Sequence, residues 1–231
     1  MIDQWWSDDD AGSLYESSSE SWPCDLDDSG APRCDCWDLD EIGSADSRAD
    51  LEALCTVATD SPDADWYGAI SAAVDWPEVS HHMAMEMVLD AHDHYAGYMG
   101  NVYLYHRPEA GNWSMLPASM NSLYGSTRYV PGSCGGSGRT LADFDAGLLI
   151  RRCWDDAQCA ADQLEAVRWA SDALVASDAL SQLDAWEPML APYVEADARL
   201  GYSLDSYHLQ VACIRDWLAA RPAEVAGWRT P

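Results

Sequence analysis

The sequence has 231 residues, with 40 acidic side chains against 12 basic ones, and its formal net charge is −28. A surface of this sign is repelled by phosphate, which excludes direct binding of nucleic acid. Nearly half of the residues are apolar and 12 are Trp, so most of the chain should fold and not behave as a disordered acidic tail.

The first 45 residues are rich in Asp and Ser and contain Trp5, Trp6, Trp22 and Trp37. We expect a weakly structured acidic arm at 1–45 that docks through its Trp residues, followed by one domain at 46–231. The start of the sequence has no basic and apolar leader, and no stretch approaches the roughly 18 to 20 apolar residues of a membrane span. A cytoplasmic protein without membrane contact is therefore predicted.

Three helices are predicted in the next part of the chain. Apolar residues at helical spacing indicate a short helix at 47–59. Ser61, Pro62 and Asp63 are typical of a helix start and predict a second helix to about residue 74. After Pro77, the spacing of Met83, Met87 and Val88 predicts a third helix over 78–93.

The apolar pattern then changes to that of strands. Residues 101–106 and 112–116 are rich in aromatic and branched side chains and flank a Pro- and Gly-containing connection, which predicts an antiparallel hairpin. A third strand is expected near 126–130. The Gly-rich segment 131–138 is interpreted as a flexible loop and not as a phosphate loop, because the Gly-Lys-Ser/Thr ending is missing.

Beyond Thr140, a predicted N-cap with Asp143 three residues later, the pattern is helical at 141–154, 157–176, 179–198 and 204–220. Helices, a small sheet and more helices in this order indicate the α+β class, with a small antiparallel sheet packed against a predominantly helical domain.

Eight cysteines are present, without the paired Cys-x-x-Cys spacing of zinc sites. Cys24, Cys34 and Cys36 are close enough in sequence for a metal site or a disulfide. The preferred interpretation is reduced, partly buried thiols, since free Cys packs as a small hydrophobic side chain.

The acidic excess is uneven along the chain. Residues 1–106 hold 24 acids and two Arg, a net charge of −22, whereas 107–231 hold 16 acids and ten Arg, a net of −6. Adaptation to high salt should acidify the whole surface, so the asymmetry favours a dedicated acidic face that imitates nucleic acid and binds a basic protein. An ordinary salt-adapted domain stays the alternative.

The predicted partner-binding surface combines seven carboxylates with two aromatic anchors. Trp66 and Trp76 are the possible anchors, although for each of them a core position is the favoured interpretation. The carboxylates are Asp63, Asp65, Asp75, Glu78, Glu86, Asp90 and Asp93.

Catalytic chemistry has little support in the sequence. His82, Glu86 and Asp90 follow each other at intervals of four and lie on one predicted helix face, but the His-Glu-x-x-His order of zinc proteases is absent. A metal-dependent enzyme centred on His82, Glu86 and His94 is kept as a third hypothesis. No activated nucleophile is found, so we predict no enzyme, no cofactor and no bound metal.

Five segments within about 80–153 and 205–228 carry a resemblance to a known family, in the same order as in that family. They are Tyr95–Gly97, Val102–Tyr105, Gly111–Pro117, Leu141–Leu148 and Ile214–Trp217 followed by Arg221–Glu224. Together they resemble the ArdB/KlcA family of antirestriction proteins from conjugative plasmids. The resemblance implies inhibition of type I restriction systems. Together with the charge, it predicts a non-enzymatic anti-defence protein that binds a basic DNA-handling enzyme, with affinity that falls steeply as salt rises.

Overall fold

The computed structural model describes residues 8–17, 24–27, 34–41, 48–91, 93–120, 122–124 and 139–228. In this part of the chain the strands are β1 (Ser13–Ser17), β2 (Trp37–Glu41), β3 (Val102–Arg107) and β4 (Asn112–Pro117). The helices are α1 (Ala49–Asp60), α2 (Trp66–Ala73), α3 (Trp76–Val88), α4 (Tyr95–Tyr98), α5 (Leu148–Asp155), α6 (Ala157–Ala176), α7 (Ala179–Ala196) and α8 (Leu204–Ala226). The predicted α+β class is confirmed.

The four strands form one antiparallel sheet in the order β2-β1-β3-β4. Val102 and Leu104 of β3 enter the main core, whereas Tyr105 lies in a small cluster with Leu14 and Leu116. This alternation is the period of two that places successive side chains on opposite faces of a strand. Helices α2 and α3 contact β4, so the helical layer covers the main-core face.

The segment predicted as a weakly structured arm contributes two of these strands. β1 lies between β2 and β3 and pairs with both. In β2, Trp37 is fully buried while Asp38 and Asp40 are exposed, so its acids occupy the solvent side of a strand. Trp5, Trp6 and Trp22 lie outside the described residues. The division into domains at 1–45 and 46–231 stays a prediction.

Helices α1 and α6 agree well with the helices predicted from the sequence. Helix α1 lies within one or two residues of the prediction, and α6 has the predicted bounds. The predicted helix at 141–154 is instead a 3-10 turn, Leu141–Asp143, followed by α5, with the expected Thr140 and Asp143 capping box at its start. The strand expected at 126–130 and the Gly-rich segment 131–138 lie outside the described residues.

Helix α3 differs from its prediction at both ends. Pro77 lies in its first turn, where a missing N–H costs nothing, and Asp75 caps it by accepting a hydrogen bond from the backbone N–H of Glu78 at 3.4 Å. It ends at Val88, five residues earlier than predicted, since Asp90 has the left-handed φ of 53° that no helix can continue.

The prediction of reduced thiols is wrong for the described cysteines, none of which is free. Disulfides join Cys24 to Cys36, Cys34 to Cys55 and Cys153 to Cys159, and Cys213 is also disulfide-bonded. The first joins the segment 24–27 to the residue before β2, and the second joins the segment before β2 to α1. These pairings could not be inferred from Cys spacing alone.

No helix in the described ranges combines the length and the apolar character that crossing a membrane requires.

Candidate functional site

The chain makes an unusual turn between the end of α3 and the start of β3. In residues 89–101, which we call the α3–β3 loop, Asp90, Met99 and Asn101 all have left-handed φ values between 50° and 57°. Asp and Asn tolerate this region, but a Met there is strained by about 1 kcal/mol or more. Backbone strain of this kind is concentrated at functional sites, so the loop is the first place to look for one.

Glu86 holds the α3–β3 loop against α3. Its carboxylate is buried and accepts hydrogen bonds from the backbone N–H groups of Tyr95, at 3.3 Å, and Ala96, at 2.7 Å. These are the first two residues of α4, so Glu86 caps that helix from outside. Its Oε1 also lies 2.9 Å from Nε2 of His82 on the same face of α3. Both oxygens of Glu86 are therefore occupied within the protein.

His94 and Asp93 follow in the same loop. The His94 ring is fully buried, with Nδ1 4.0 Å from Oε1 of Glu86 and Nε2 3.6 Å from Oδ1 of Asp93. The side-chain amide of Asn101 donates to the backbone carbonyl of Asp93 at 2.8 Å and fixes the loop there. Oδ1 of Asp93 is buried and accepts no hydrogen bond from the described residues. We call His82, Glu86, Asp90, Asp93 and His94 the acid–histidine cluster.

Two arginines approach this cluster at Asp90. Nε of Arg139, which is one-third exposed, lies 3.6 Å from Oδ1 of Asp90. Arg221 is completely buried and donates to the carbonyls of Met87 and Val88 at the end of α3, where a cation complements the helix dipole. Burial lowers the pKa of Arg221, an effect partly offset by the charge of Asp90. The acid–histidine cluster therefore has its carboxylates in and next to the α3–β3 loop and two arginines along one side.

A second network connects the α3–β3 loop to α5. The hydroxyl of Tyr95 donates to Oδ1 of Asp25 at 2.9 Å and accepts from the backbone N–H of Leu149 at 3.1 Å. The other oxygen of Asp25 accepts from the N–H of Leu148 at 2.6 Å. A side chain on Gly147 would lie only 2.5 Å from the Tyr95 ring, so this position requires glycine. The network fixes the orientation of α4.

Burial controls the ionisation of this second network. It raises the pKa of Asp25 to about 6, although the hydrogen bonds from Leu26, Tyr95 and Leu148 oppose the rise. Burial, reinforced by the charge of Asp25, raises the pKa of the Tyr95 hydroxyl well above its usual range. Tyr95 therefore stays a protonated donor while Asp25 titrates near neutral pH.

The structure separates the predicted partner-binding residues into three places. Asp63 and Asp65 are exposed at the start of α2. Asp75 and Glu78 lie at the start of α3, and Glu86, Asp90 and Asp93 lie at its end or in the loop beyond. A helix of 13 residues is about 20 Å long, so the last two groups are far apart.

Several of these residues are internal. Glu86 and Asp90 are each 1% exposed and cannot belong to a surface that contacts a partner. Trp66 and Trp76 are buried, which agrees with the favoured interpretation of them as core residues. Glu78 is half-buried and accepts a hydrogen bond from Ser114 at 2.8 Å, while burial raises its pKa. Whether a basic protein binds the chain stays a prediction.

The hypothetical metal centre comprises His82, Glu86 and His94. Their side chains lie close together, but Glu86 already makes other contacts within the protein. Both oxygens of Glu86 already accept hydrogen bonds from the backbone of α4. Across the described ranges, no group of three or more His, Cys, Asp or Glu side chains is arranged to hold a metal ion.

Sequence reasoning missed Asp25, Tyr95, Asn101 and Arg139. Asp25 lies between two cysteines in an acidic segment and resembles its neighbours, so only its contacts distinguish it. Asn101 carries a usable signal, since an Asn immediately before an aromatic strand often occupies a left-handed turn.

Comparison with protein families gives a match to the family described as CotH kinase protein over residues 8–225, nearly the whole chain. No curated protein matches the sequence. The resemblance to ArdB/KlcA proteins is therefore wrong. It rested on short segments of the hairpin and of helix starts, which follow from hairpin and capping chemistry in many folds.

The match also overturns the function derived from that resemblance. A family of kinase proteins contradicts antirestriction, DNA mimicry and the prediction that the chain is not an enzyme. The acidic composition was given too much weight, because it does not distinguish carboxylates that face a partner from those that hold the fold together. With a match that extends from residue 8 to residue 225, the chain belongs to the CotH kinase family.

Proposed function

We propose that this chain is a phosphotransferase and that Asp93 is the central carboxylate of its reaction site. The family name supplies the reaction class. The observation that supports Asp93 is its Oδ1 atom, which is buried in the strained α3–β3 loop and accepts no hydrogen bond from the described residues. A buried carboxylate oxygen without a donor is costly, so its retention calls for a functional reason.

The position of Asp93 suits phosphoryl transfer. Kinases use a loop Asp to accept the proton of the attacking hydroxyl and an Asn further along the same loop. Here Asn101 follows Asp93 in the α3–β3 loop and fixes its backbone carbonyl. His94, packed between Asp93 and Glu86, keeps the side chain of Asp93 on one side of the loop.

The phosphate groups of a nucleotide also need a cation. Kinases commonly use a Lys, but all 12 basic residues of this sequence are Arg. Arg139 is the best candidate, since it is partly exposed and lies next to Asp90 at the border of the acid–histidine cluster. An Arg can bind phosphate oxygens through two parallel hydrogen bonds, which a Lys cannot do.

The donor set is compatible with Mg²⁺ as it is used by phosphotransferases. Such sites hold Mg²⁺ with only one or two carboxylates, and substrate phosphates and water complete the octahedron. Oδ1 of Asp93, which accepts no hydrogen bond from the described residues and lies 3.6 Å from Nε2 of His94, would supply one such ligand. When bound, the ion neutralises charge that develops on the transferred phosphoryl group.

The experiment is a phosphoryl-transfer assay with labelled ATP and a panel of protein acceptors, run on the disulfide-bonded protein. We expect Asp93→Asn to lower the rate by about 100-fold or more, since it removes the proton acceptor and a metal ligand but keeps the shape of the side chain. The matched control is Asp172→Asn, an exposed carboxylate on α6 that should leave the rate unchanged.

Binding of a fluorescent ATP analogue provides a second measurement, in which Arg139→Gln should weaken nucleotide affinity while Asp93→Asn has a smaller effect. Full activity in a folded Asp93→Asn protein would refute the assignment of Asp93. Absence of both transfer and nucleotide binding in the folded wild-type protein would refute the phosphotransferase proposal.

The disulfides support an oxidising compartment as the place where this chemistry occurs, against the cytoplasmic location expected from the sequence. Disulfides persist in secreted and envelope proteins and are rare where glutathione keeps thiols reduced. Thiol counting on protein isolated from its natural source, without added reductant, tests this: few or no reactive thiols are expected. Fully reduced cysteines in that material would contradict it.

A further inference from the structure

A groove of about 380 Å³ lies between α2, α3 and α6, on residues that the acid–histidine cluster does not use. Its volume is within the range of small-molecule and side-chain binding sites. Aromatic rings and two carboxylates are among the side chains that line it. The residues that define it are Tyr67, Trp76, His81, Asp162, Glu165 and Trp169, and we call this site the aromatic groove.

The aromatic walls are ordered but partly open to solvent. The ring of Trp169 stacks on His81 with centroids 4.0 Å apart, yet Trp169 is 46% exposed. Tyr67 packs edge-on against Trp76 at 5.6 Å, and Trp76 is almost fully buried. A rigid inner wall and a half-exposed outer ring leave aromatic surface available to a ligand, and aromatic faces attract cations through their quadrupole.

The carboxylates of the aromatic groove give it a negative charge. Asp162 accepts hydrogen bonds from the hydroxyl of Tyr67 at 2.6 Å and from the side-chain amide of Gln158 at 2.9 Å, which fixes its position. Glu165 pairs with Arg168 on the exposed side of α6. Exposed ion pairs contribute at most about 1 kcal/mol, so Glu165 can exchange this partner for a ligand at little cost. Among the lining residues His81 is the one basic side chain.

The molecule contains two similar aromatic and acidic settings that are filled by its own arginines. The guanidinium of Arg152 lies 5.1 Å from the Trp66 ring and pairs with Asp63 at 2.8 Å. The guanidinium of Arg221 lies 5.3 Å from Trp217 and 4.7 Å from Trp228. Arg221 also pairs with Glu224 at 3.3 Å. Both sites combine an indole face with a carboxylate around a planar cation.

The aromatic groove also combines indole rings with carboxylates, and none of the described residues that line it is an arginine. We infer that the aromatic groove is a binding site for a guanidinium group supplied by another molecule. A guanidinium is favoured over an ammonium because it is planar, stacks on indole and pairs with a carboxylate through two parallel hydrogen bonds. The site is separate from the proposed phosphotransfer loop, so the two proposals stand or fall independently.

The test is an NMR titration of the full disulfide-bonded chain with N-acetyl-arginine amide, following the indole N–H signals of the Trp residues. Saturable binding is expected. The neutral isostere N-acetyl-citrulline amide should bind at least about tenfold more weakly, because it cannot form a charge-assisted pair. N-acetyl-lysine amide should also bind more weakly, since its ammonium does not stack. Equal binding of the citrulline or the lysine compound, or no binding of any, would overturn the inference.

Variants separate a built site from the general attraction of cations to a chain of charge −28. Trp169→Ala should weaken arginine amide binding about fivefold and Glu165→Gln about threefold. Asp172→Asn, which removes an exposed carboxylate of α6 that is not part of the aromatic groove, should have no effect. If Asp172→Asn weakens binding as much as Glu165→Gln does, long-range charge explains the binding and the aromatic groove is not a site.

A second ligand identifies the natural source of the guanidinium. A six-residue peptide with a single central Arg and otherwise uncharged side chains is titrated in the same way. Binding about tenfold tighter than the free amide supports an arginine side chain of a protein, while equal binding supports a small guanidinium compound. Failure of the peptide and the amide together would overturn the inference.

Discussion

Acidic side chains have different roles in residues 8–124 and in the pair formed by α7 and α8. In the first region, several carboxylates accept hydrogen bonds from backbone N–H groups of segments distant in sequence. Asp9 accepts from Glu109 and Ala110, just as Asp25 and Glu86 cap α5 and α4. In α7 and α8, Asp184 and Glu187 pair with Arg215 at the surface. Asp9, Asp25 and Glu86 are therefore parts of the internal architecture and not of a surface that faces a partner.

This comparison shows why net charge was misleading. A buried carboxylate that accepts two or three N–H groups is a stabilising element, and it would be present whether or not the protein had a basic partner. A surface carboxylate paired with Arg contributes little to stability. The number of acids in a sequence cannot separate the two kinds, although their mutational effects should differ by several kcal/mol.

Among changes to acidic side chains, the largest effect is expected for Asp25→Ala. This change leaves the N–H groups of Leu26 and Leu148 and the hydroxyl of Tyr95 without their buried acceptor. We expect a loss of about 4 kcal/mol in the free energy of unfolding, measured by urea denaturation. Asp27→Ala is the control, because Asp27 is about half exposed and pairs with Arg151 at the surface. Similar losses for both variants would contradict the comparison.

The next largest effect on the free energy of unfolding is expected for the Cys34–Cys55 disulfide. It closes a loop across 21 positions between β2 and α1, and releasing such a loop in the unfolded chain costs about 3 kcal/mol. The double variant Cys34→Ser/Cys55→Ser should lose that amount in urea denaturation, and reductant should then have less effect on it than on the wild type. An unchanged midpoint would mean that this disulfide does not stabilise the sheet region.

The pH dependence of stability provides the next test. Because burial raises the pKa of Asp25 to about 6 from 3.8, the folded protein binds a proton there more tightly than the unfolded chain does. The resulting stability is fully present below about pH 4 and is lost as the pH rises through 6, to an extent of about 3 kcal/mol. Urea denaturation from pH 4 to 7 should show that the free energy of unfolding of the wild type, relative to that of Asp25→Asn, increases as the pH falls. Parallel profiles would contradict the assignment.

How far the sequence predicted the molecule depended on how local each feature is. The β3–β4 hairpin, the capping box at Thr140 and the bounds of α6 follow from patterns within a few residues, and they were predicted well. β1 and β2 were missed, since each has only five residues. β2 also carries the exposed acids Asp38 and Asp40, and β1 lies in a segment rich in Asp and Ser. The acid–histidine cluster was only partly predicted. The spacing along α3 placed His82 and Glu86 on one face, but the contact of Glu86 with Tyr95 and Ala96 depends on the turn at Asp90, which the spacing does not show.

Glu86→Gln should have a smaller effect than the loss of Asp25. The amide keeps one acceptor oxygen but places an NH₂ group against a backbone N–H of α4, so one hydrogen bond is lost and two donors face each other. We expect a loss of about 2 kcal/mol in urea denaturation. Glu195→Gln is the matched change in the other region, where the side chain is exposed, and it should stay within about 0.5 kcal/mol. A loss at Glu195 equal to that at Glu86 would remove the distinction.

The smallest effect is expected on α7, in which none of the residues is buried. Met189 is 66% exposed, whereas Met83 of α3 is fully buried, so the same substitution can be compared in both regions. Met83→Ala should cost about 2 to 5 kcal/mol by leaving a cavity, while Met189→Ala should change the free energy of unfolding by less than about 0.5 kcal/mol. A cost above about 1 kcal/mol at Met189 that grows with protein concentration would mean that another molecule covers α7, and the acids of α7 would then belong to an interface and not to a solvated surface.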